Sequence, residues 1–360
     1  MEKKSINMEN MVIKQDIAEI INRVDNTRFS GKSILLTGGG GFLGTYFVHY
    51  FAALNDLKVI EKPCKLYIIE NFIRGVPNWF ESIKGRNDIE IIEADINKSL
   101  ELPKSDFVIH AATIASPTYY RLHPIETMDA NVIGLRNLLD FVKDNPCESF
   151  LFFSTSEMYG DPSPENIPTK ETYRGNVSCT GPRACYDESK RYGETLCVNF
   201  YQQFQIPIKI VRPFNNFGPG LRLSDKRVIP DFFNNILEEK KLVIYSDGKT
   251  TRTFCYISDA ITGYLQALLS NSNGESFNIG TSFPEITMLE LAQTISKVVK
   301  SSTEIEYEYQ ISTDVEYLTD NPQRRCPDIT KAETLLGYKP IISLEEGLTR
   351  IYNYYKDNRE

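Results

Sequence analysis

The chain has 360 residues, of which 41% are hydrophobic and 24% are charged, and its formal net charge at pH 7 is -8. This composition is typical of a globular protein of about two domains and excludes a mainly disordered chain. An acidic chain without a basic run is a poor candidate for binding nucleic acid or an anionic membrane, and no apolar window of about 20 residues could span a membrane.

Residues 1–30 are predicted to form a polar tail and one helix. The first residues lack the apolar core of a secretory signal. Five aliphatic side chains then fall on one helical face: Ile13, Ile17, Ile20, Ile21 and Val24. We expect this helix to pack on the surface of the adjoining domain.

Six short apolar runs follow, each with the form of a strand buried in a parallel sheet. They lie at 33–37, 66–70, 89–95, 106–112, 149–155 and 208–215. Long mixed stretches separate them, and strands that alternate with helices indicate an α/β fold with a doubly wound parallel sheet of the Rossmann type. We assign this sheet to a domain spanning 31–215.

The pattern changes after about residue 215, where Pro, Gly and Asn cluster. Helical patterns with short strands between them occur at 229–240, 258–270, 286–300 and 344–356. We therefore predict a smaller α/β domain over 216–360, with some interleaving of the two domains.

A glycine-rich loop joins the first predicted strand to the next helix, with Gly38, Gly41 and Gly44 at G-x-x-G-x-x-G spacing. Glycine lets the backbone turn sharply and approach a pyrophosphate, and the start of the helix offers unpaired N–H groups. The spacing is a variant of the dinucleotide fingerprint, and its place between a strand and a helix indicates dinucleotide binding. Phe42 and Leu43 lie inside this loop and are expected at the cofactor.

Glu70 ends the second predicted strand and is expected, with Asn71, beside the adenosine ribose. A carboxylate there accepts hydrogen bonds from both ribose hydroxyls and repels a 2′-phosphate, which favours NAD over NADP. Arg74 weakens this preference, because an arginine at that place could meet a phosphate. Asp95 and Ile96, after the third strand, are placed to meet the adenine.

Tyr186 and Lys190 are four residues apart, so on a helix they share one face. A phenol has a pKa near 10, but a neighbouring ammonium and the positive nicotinamide of NAD favour the phenolate. Downstream of a dinucleotide loop, with S-T-S-E at 154–157 expected on an intervening strand, this pair indicates a catalytic tyrosine and lysine.

Four motifs together resemble those of the extended short-chain dehydrogenase/reductases that modify nucleotide sugars, over about residues 31–355. They are G-x-x-G-x-x-G at 38–44, H-A-A at 110–112, S-T-S-E-M-Y-G at 154–160 and Y-x-x-x-K at 186–190. The resemblance implies a Rossmann domain that holds NAD, a C-terminal domain that holds a nucleotide sugar, with UDP-sugars favoured, and a homodimer packed through the tyrosine helix. It also places His110, Ala111 and Ala112 at the cofactor.

Within this family the closest resemblance is to the decarboxylases that act on UDP-glucuronate. It rests on segments at 115–120, 154–162, 173–177, 181–191, 251–254, 321–329 and 336–340. The chain departs from that pattern where 110–115 lacks an expected proline, where Met158 replaces the usual valine, and in its first 30 residues.

This resemblance implies catalytic roles for Thr155, Ser156, Glu157, Tyr186, Lys190 and Arg252. Ser156 stands where the related 4,6-dehydratases carry aspartate, and a hydroxyl is a poor acid at neutral pH, so dehydration loses its expected proton donor. Arg252 resembles an arginine that the decarboxylases place near the substrate carboxylate. Glu157 is expected to be a second acid/base or to hold a water.

The resemblance also implies a set of residues that contact the nucleotide sugar. A guanidinium fork suits a diphosphate, and Tyr245 is suited to stack on a uracil. The expected contacts are Tyr120, Arg183, Asn215, Arg227, Tyr245, Arg252 and Arg325.

Two alternatives to a decarboxylase stay open in the sequence. One is another enzyme of the same family, a 4,6- or 5,6-dehydratase or a 4-epimerase. The other is a non-catalytic NAD-binding scaffold, which would be expected to have lost the tyrosine–lysine pair. Seven cysteines without a C-x-x-C pair indicate reduced thiols in a cytoplasmic protein, and we expect no metal site.

Overall fold

The computed structural model describes residues 10–299, 307–310, 316 and 319–358. The helices of this part of the chain are α1 (Met11–Ile21), α2 (Phe42–Asp56), α3 (Phe80–Ile83), α4 (Pro117–Leu122), α5 (Pro124–Asp129), α6 (Leu135–Asp144), α7 (Ala184–Phe204), α8 (Val228–Leu237), α9 (Ile257–Leu269), α10 (Met288–Val299), α11 (Thr330–Leu336) and α12 (Leu344–Asp357). None of these described helices is both long and apolar enough to cross a membrane.

The strands follow one another as β1 (Ser33–Thr37), β2 (Lys65–Glu70), β3 (Ile89–Glu93), β4 (Phe107–His110), β5 (Ser149–Phe153), β6 (Ile208–Pro213), β7 (Asn216–Phe217), β8 (Leu242–Ile244), β9 (Thr251–Arg252), β10 (Cys255–Tyr256), β11 (Ser276–Ile279), β12 (Ile286–Thr287), β13 (Tyr307–Tyr309) and β14 (Arg324–Arg325). Seven of them form one sheet in the order β3-β2-β1-β4-β5-β6-β11, with every pairing parallel. The order reverses direction between β1 and β4, and sheets of this kind bind ligands at the carboxyl ends of the strands beside such a point.

Strand β1 shows why the sheet is covered on both faces. Alternate side chains of a strand point to opposite faces. Ile34 and Leu36 pack into the core cluster that includes α2 and α9, whereas Leu35 packs into the cluster that includes α6 and α7. The continuous apolar run SILLT therefore fits a strand buried between two helical layers.

The second half of the chain builds smaller sheets around the carboxyl edge of the main sheet. Strands β7 and β10 form a parallel pair, β9 lies between β12 and β14, and β8 pairs with β13. Helices α8, α10 and α12 pack beside them. These short strands bring segments that are distant in sequence to one side of the cavity described below.

The predicted doubly wound α/β fold is confirmed, with all six predicted strands present. Four of them end before the predicted boundary, so that 94–95, 111–112, 154–155 and 214–215 follow the strands. All of these residues except the buried Phe214 line the cavity at the carboxyl edge of the sheet. Strand β11 lies where short strands were expected, between 258–270 and 286–300, but its pairing with β6 in the main sheet was not predicted. The two predicted domains at 31–215 and 216–360 thus share one sheet, and their boundaries stay a prediction.

Helix α1 packs against α2, α9 and α12. Its Asp16 is fully buried and accepts hydrogen bonds from the hydroxyls of Tyr46 and Tyr256 and from the guanidinium of Arg350. The helix predicted within residues 1–30 is thus present and joined to both halves of the chain, while residues 1–9 lie outside the described part.

Candidate active site

The glycine loop begins a cavity of about 760 Å³ that runs from β1 to Arg325. Gly38 has a φ of +78°, and a Cβ at Gly44 would lie 2.1 Å from the carbonyl oxygen of Gly38, so the turn itself requires both glycines. A Cβ at Gly41 would meet no atom of the chain closer than 3.4 Å. Packing does not require a glycine at this position. Because Gly41 has no side chain, a ligand can approach the backbone closely here.

The start of α2 fits the pyrophosphate of a dinucleotide. Gly41 is the N-cap residue, and no side chain caps the helix. Phe42, Leu43 and Gly44 supply its first N–H groups and line the cavity. Uncapped N–H groups at a helix N-terminus attract an anion.

Glu70 ends β2 beside this loop, as expected. Its carboxylate accepts hydrogen bonds from the backbone N–H groups of Gly40, at 2.8 Å, and of Asn71 and Phe72. These bonds fix an anionic group at the cavity wall, which fits ribose hydroxyls and opposes a 2′-phosphate. Asp95 and Ile96 line the same cavity after β3, together with Asn71.

Two residues expected at the cofactor have other contacts. The guanidinium of Arg74 donates to Asp225 at 2.9 Å and lies 4.1 Å from the ring of Tyr119, so it is not directed at a phosphate site. His110 is buried behind the cavity, hydrogen-bonded to the hydroxyl of Thr37 at 2.8 Å. Its neighbours Ala111 and Ala112 line the cavity, but His110 does not; as a β4 residue it points into the core.

Tyr186 and Lys190 both line the cavity from α7, and Thr155 lines the same cavity. Lys190 donates to the carbonyl oxygen of Phe153 at 2.8 Å. Burial lowers the pKa of Lys190 to about 7 and raises the pKa of Tyr186 to about 12. The expected phenolate depends also on the positive nicotinamide of bound NAD, so it stays a prediction.

We expected Thr155, Ser156 and Glu157 to lie on a strand, but in the structure they follow β5. The hydroxyl of Thr155 accepts the N–H of Glu157 at 3.2 Å and caps a short 3-10 turn, Ser156–Tyr159. This turn faces Thr155 and Ser156 into the cavity next to Tyr186.

Tyr120 stacks on Tyr186, with ring centroids 5.0 Å apart and planes 7° apart. It is 1% exposed, lines the cavity, and its hydroxyl has no hydrogen-bond partner in the described part of the chain. A buried hydroxyl without a partner is unfavourable, so this one is available to a ligand.

Three arginines surround the carboxylate of Glu157. It accepts a hydrogen bond from Arg183 and another from Arg325, the latter at 2.6 Å, and Arg252 is the third nearby positive charge. The arginines hold the pKa of Glu157 at about 2 despite its burial. Glu157 is thus an ionised partner of arginines and a poor proton donor, while its expected role as an acid/base or water-holding residue stays a prediction.

Arg252 is 7% exposed, and its guanidinium donates to neutral oxygens, the carbonyls of Thr251, Pro322 and Gln323 and the side chain of Asn321. Burial, followed by the charge of Arg325, lowers its pKa to about 9. Its charge is oriented within the cavity and is not cancelled by a carboxylate in direct contact in the described structure.

The other residues expected at the nucleotide sugar line the cavity on the side of the second half of the chain. The side chain of Asn215 accepts from Arg325 at 3.2 Å and donates to the carbonyl oxygen of Thr253 at 2.8 Å. Arg227 and Tyr245 lie in the wall at the start of α8 and after β8. The structure thus brings all the predicted residues to one cavity or its wall, except His110.

Sequence reasoning missed Asp187 and Asp225. Asp187 is buried beside Arg183, with Nε and Oδ2 3.8 Å apart, and burial followed by the charge of Glu157 raises its pKa to about 8. The i,i+4 spacing of Arg183 and Asp187 on α7 was an available signal. Nothing in the sequence paired Asp225 with Arg74, 151 positions away.

The model of the NAD dependent epimerase/dehydratase family matches residues 34–280. The chain is 36% identical over 329 residues to UDP-glucuronic acid decarboxylase 1 of Xenopus tropicalis, which covers 91% of this chain and 73% of that protein. It is 37% identical over 324 residues to UDP-glucuronic acid decarboxylase 1 of Arabidopsis thaliana, covering 90% and 70%.

Solved structures show the same fold. UDP-glucose 4-epimerase of Thermotoga maritima with UDP-glucose superimposes with a TM-score of 0.77 at 25% identity, covering 91% of this chain and all of that one. A UDP-glucuronic acid 4-epimerase variant from Bacillus cereus, in complex with NAD and a fluorinated UDP-glucuronic acid, gives 0.74 at 29% identity, covering 90% and 99%. With its glycine loop, Glu70 and tyrosine–lysine pair in one cavity, the chain is an NAD-dependent enzyme and belongs to the NAD dependent epimerase/dehydratase family.

Proposed function

We propose that this chain is a UDP-glucuronate decarboxylase that oxidises C4 of the sugar, releases C6 as CO2 and reduces C4 again to give UDP-xylose. The observation that carries the proposal is that Ser156 and Arg252 both lie in the wall of one cavity. The first offers no acid for dehydration, and the second offers a positive charge to a carboxylate. The similarity to UDP-glucuronic acid decarboxylases over about nine tenths of the chain supports the same substrate.

The residues that would hold NAD are those of the glycine loop, Glu70, and the pair Asp95 and Ile96. When bound, NAD accepts the C4 hydrogen with its electron pair and later returns it. The acidic wall at Glu70 selects the cofactor without a 2′-phosphate.

Tyr186 takes the proton of the C4 hydroxyl, and Thr155 hydrogen-bonds the same oxygen. Because burial raises the pKa of Tyr186 to about 12, the protein alone does not supply the phenolate. The positive charge of the oxidised nicotinamide would favour the phenolate. Lys190, whose Nζ lies 5.9 Å from the centroid of the Tyr186 ring, helps to hold that ring in place. Proton removal is therefore coupled to the presence of the oxidised cofactor.

A 4-ketone makes the C5 carboxylate a β-keto acid, which loses CO2 without a proton donor at C6. Arg252 holds that carboxylate, and its neutral partners keep the guanidinium in place. Ser156 cannot protonate a departing hydroxide at neutral pH, so dehydration is disfavoured. Arg325, Arg227 and Asn215 hold the diphosphate.

The test is an NMR time course of the purified protein with NAD and UDP-glucuronate. We expect UDP-xylose and CO2 from the natural chain. Tyr186→Phe should lower turnover by at least about a hundredfold, because general base catalysis contributes that much, while NAD stays bound. Tyr201→Phe on the same helix is the matched control and should keep the natural rate.

The products also decide between related reactions. A C4 epimer of UDP-glucuronate without CO2 would assign an epimerase. A 4-keto-6-deoxy sugar from UDP-N-acetylglucosamine or UDP-glucose, with no reaction on UDP-glucuronate, would assign a dehydratase. Either result refutes the decarboxylase proposal, whereas natural turnover by Tyr186→Phe would refute the role of Tyr186 as the base.

We also infer a homodimer. Exposed apolar side chains gather on α4, α5, the π-helical turn at 130–134 and α7, the elements around the tyrosine helix. They are Leu122, Ile125, Met128, Ile133 and Tyr192. Light scattering coupled to size-exclusion chromatography should give twice the chain mass, and a monomer would refute the inference.

A cytoplasmic location is the last part of the proposal. All seven cysteines are free, as expected in a reducing compartment. Labelling of the protein in intact cells should find these thiols reduced, and disulfide-bonded protein would contradict this location.

A further inference from the structure

A group of four residues, here called the clasp, joins two sides of the cavity. The guanidinium of Arg74 donates to Asp225 at 2.9 Å and stacks on the ring of Tyr119 at 4.1 Å. Arg222 in turn donates to the backbone carbonyl oxygen of Arg74 at 2.7 Å. Both the side chain and the main chain at residue 74 are therefore held.

The clasp connects segments that are far apart in sequence. Arg74 follows β2 and lies four residues after Glu70, whereas Arg222 and Asp225 precede α8. The hydroxyl of Ser116 also donates to the carbonyl oxygen of Asp225 at 3.2 Å, which adds the segment at the start of α4.

The clasp lies at the solvent-facing margin of the cavity. Arg74, Arg222 and Asp225 line the cavity, yet the side chain of Arg74 is 32% exposed. Its neighbours Ile73 and Val76 are 60% and 53% exposed. The ion pair of Arg74 and Asp225 thus lies at the partly exposed wall of the cavity that also holds the glycine loop and Tyr186.

We propose that the clasp retains the dinucleotide through the whole catalytic cycle, so that the chain releases the reduced pentose and not the 4-keto sugar. This inference rests on the decarboxylase function proposed above. It assigns to Arg74 and Asp225, which touch neither reacting atom, a positioning role that decides the product.

The balance of the reaction explains why retention decides the product. Oxidation removes the C4 hydrogen and the hydroxyl proton, and the enolate left by CO2 takes one proton at C5. If the reduced cofactor stays, its hydrogen and one proton return to C4 and its oxygen, and the products are UDP-xylose and CO2. If it leaves first, the products are the UDP-4-keto-pentose, CO2 and one equivalent of NADH.

The experiment compares the natural chain with Arg74→Met and Asp225→Asn. Arg136→Met is the matched control, because it removes an exposed arginine–aspartate pair with Asp140 at 2.6 Å. The first readout is the dissociation rate of NADH from loaded protein, followed by its fluorescence after dilution into excess NAD. The second is the sugar product with UDP-glucuronate, analysed by NMR, with free NADH measured at 340 nm.

We expect both clasp variants to release NADH about tenfold faster or more, since a hydrogen bond to a charged group contributes that order of free energy. They should also yield 4-keto-pentose with matching NADH, while the control and the natural chain yield UDP-xylose. NADH dissociation rates equal to that of the natural chain would overturn the proposal, and so would a natural chain that releases mainly the 4-keto sugar. The first readout needs no sugar, so it decides the retention role even if UDP-glucuronate is not the substrate.

Discussion

The most direct test of the fold is the removal of Arg350 from the network that fastens α1. Its guanidinium donates to Asp16 at 2.8 Å and makes a two-pronged pair with Glu19 at 2.7 and 2.8 Å, and it also pairs with Glu346. The side chains of Glu19 and Glu346 are 25% and 47% exposed, so water can replace Arg350 there. Asp16 is fully buried and cannot be solvated.

The loss in free energy of unfolding caused by Arg350→Met therefore arises mainly from Asp16, which is left buried without its positive partner. Breaking a buried ion pair by removing one partner costs about 3–5 kcal/mol, because a charge is left without compensation. The hydroxyls of Tyr46 and Tyr256 still donate to Asp16, which places the expected loss near the lower end of that range, about 3 kcal/mol at pH 8.

The loss should depend on pH in a defined direction. Burial raises the pKa of Asp16 from 3.8 to about 6, while Arg350 opposes the rise. A raised carboxyl pKa means that the folded state binds the proton more tightly, so the stability it contributes is present below about pH 4 and is lost as the pH rises through 6. Without Arg350 the pKa rises further, and Asp16 is protonated and neutral at pH 5. Arg350→Met should thus destabilise the protein less at pH 5 than at pH 8.

Urea denaturation at both pH values gives the free energies of unfolding. The double variant Asp16→Asn, Arg350→Met has no buried carboxylate at position 16. It should therefore be more stable at pH 8 than Arg350→Met alone. A loss below about 1 kcal/mol at pH 8, or losses from the two substitutions that simply add, would refute the argument that Asp16 carries the cost.

Two further predictions concern the cavity. Tyr120→Phe removes a buried hydroxyl that has no hydrogen-bond partner in the described structure, so the midpoint of thermal unfolding should be unchanged or higher. The KM for the nucleotide sugar should rise severalfold. A lower midpoint would show that the hydroxyl stabilises the fold. Arg252→Ala should lower kcat/KM for UDP-glucuronate far more than it lowers the affinity of the protein for UDP-glucose, which lacks the carboxylate. Equal losses for the two nucleotide sugars would exclude a carboxylate-holding role for Arg252.

The main sheet was predictable because its strands are buried on both faces and so read as continuous apolar runs. Leu35, for example, is as buried as its neighbours Ile34 and Leu36. Strand β11 has the short sequence SFNI, with no helix-like spacing or long apolar run to separate it from a loop. Only its pairing with β6 identifies it as part of the sheet.

The site was predictable where neighbours in sequence are neighbours in space. Gly38 and Gly44 are in one turn, and Tyr186 and Lys190 are on one helix. The contacts that correct the prediction join residues far apart in sequence. Arg325 donates a hydrogen bond to Glu157, which is 168 positions away in sequence. No local sequence pattern predicts that this carboxylate is held ionised by arginines.

These long-range contacts also explain how an acidic protein accepts an acidic substrate. Ionised Glu157 faces Arg183, Arg252 and Arg325, and the pKa of the neighbouring Asp187 is raised to about 8, so this part of the cavity wall has an excess of positive charge although the chain as a whole carries -8. Two of the three guanidiniums share one carboxylate, and the third donates to neutral oxygens. A substrate with a diphosphate and a carboxylate brings the anions that this cluster lacks, whereas a neutral hexose nucleotide leaves Arg252 without an anionic partner. The charge of this wall therefore supports the proposal that the cavity takes a uronate.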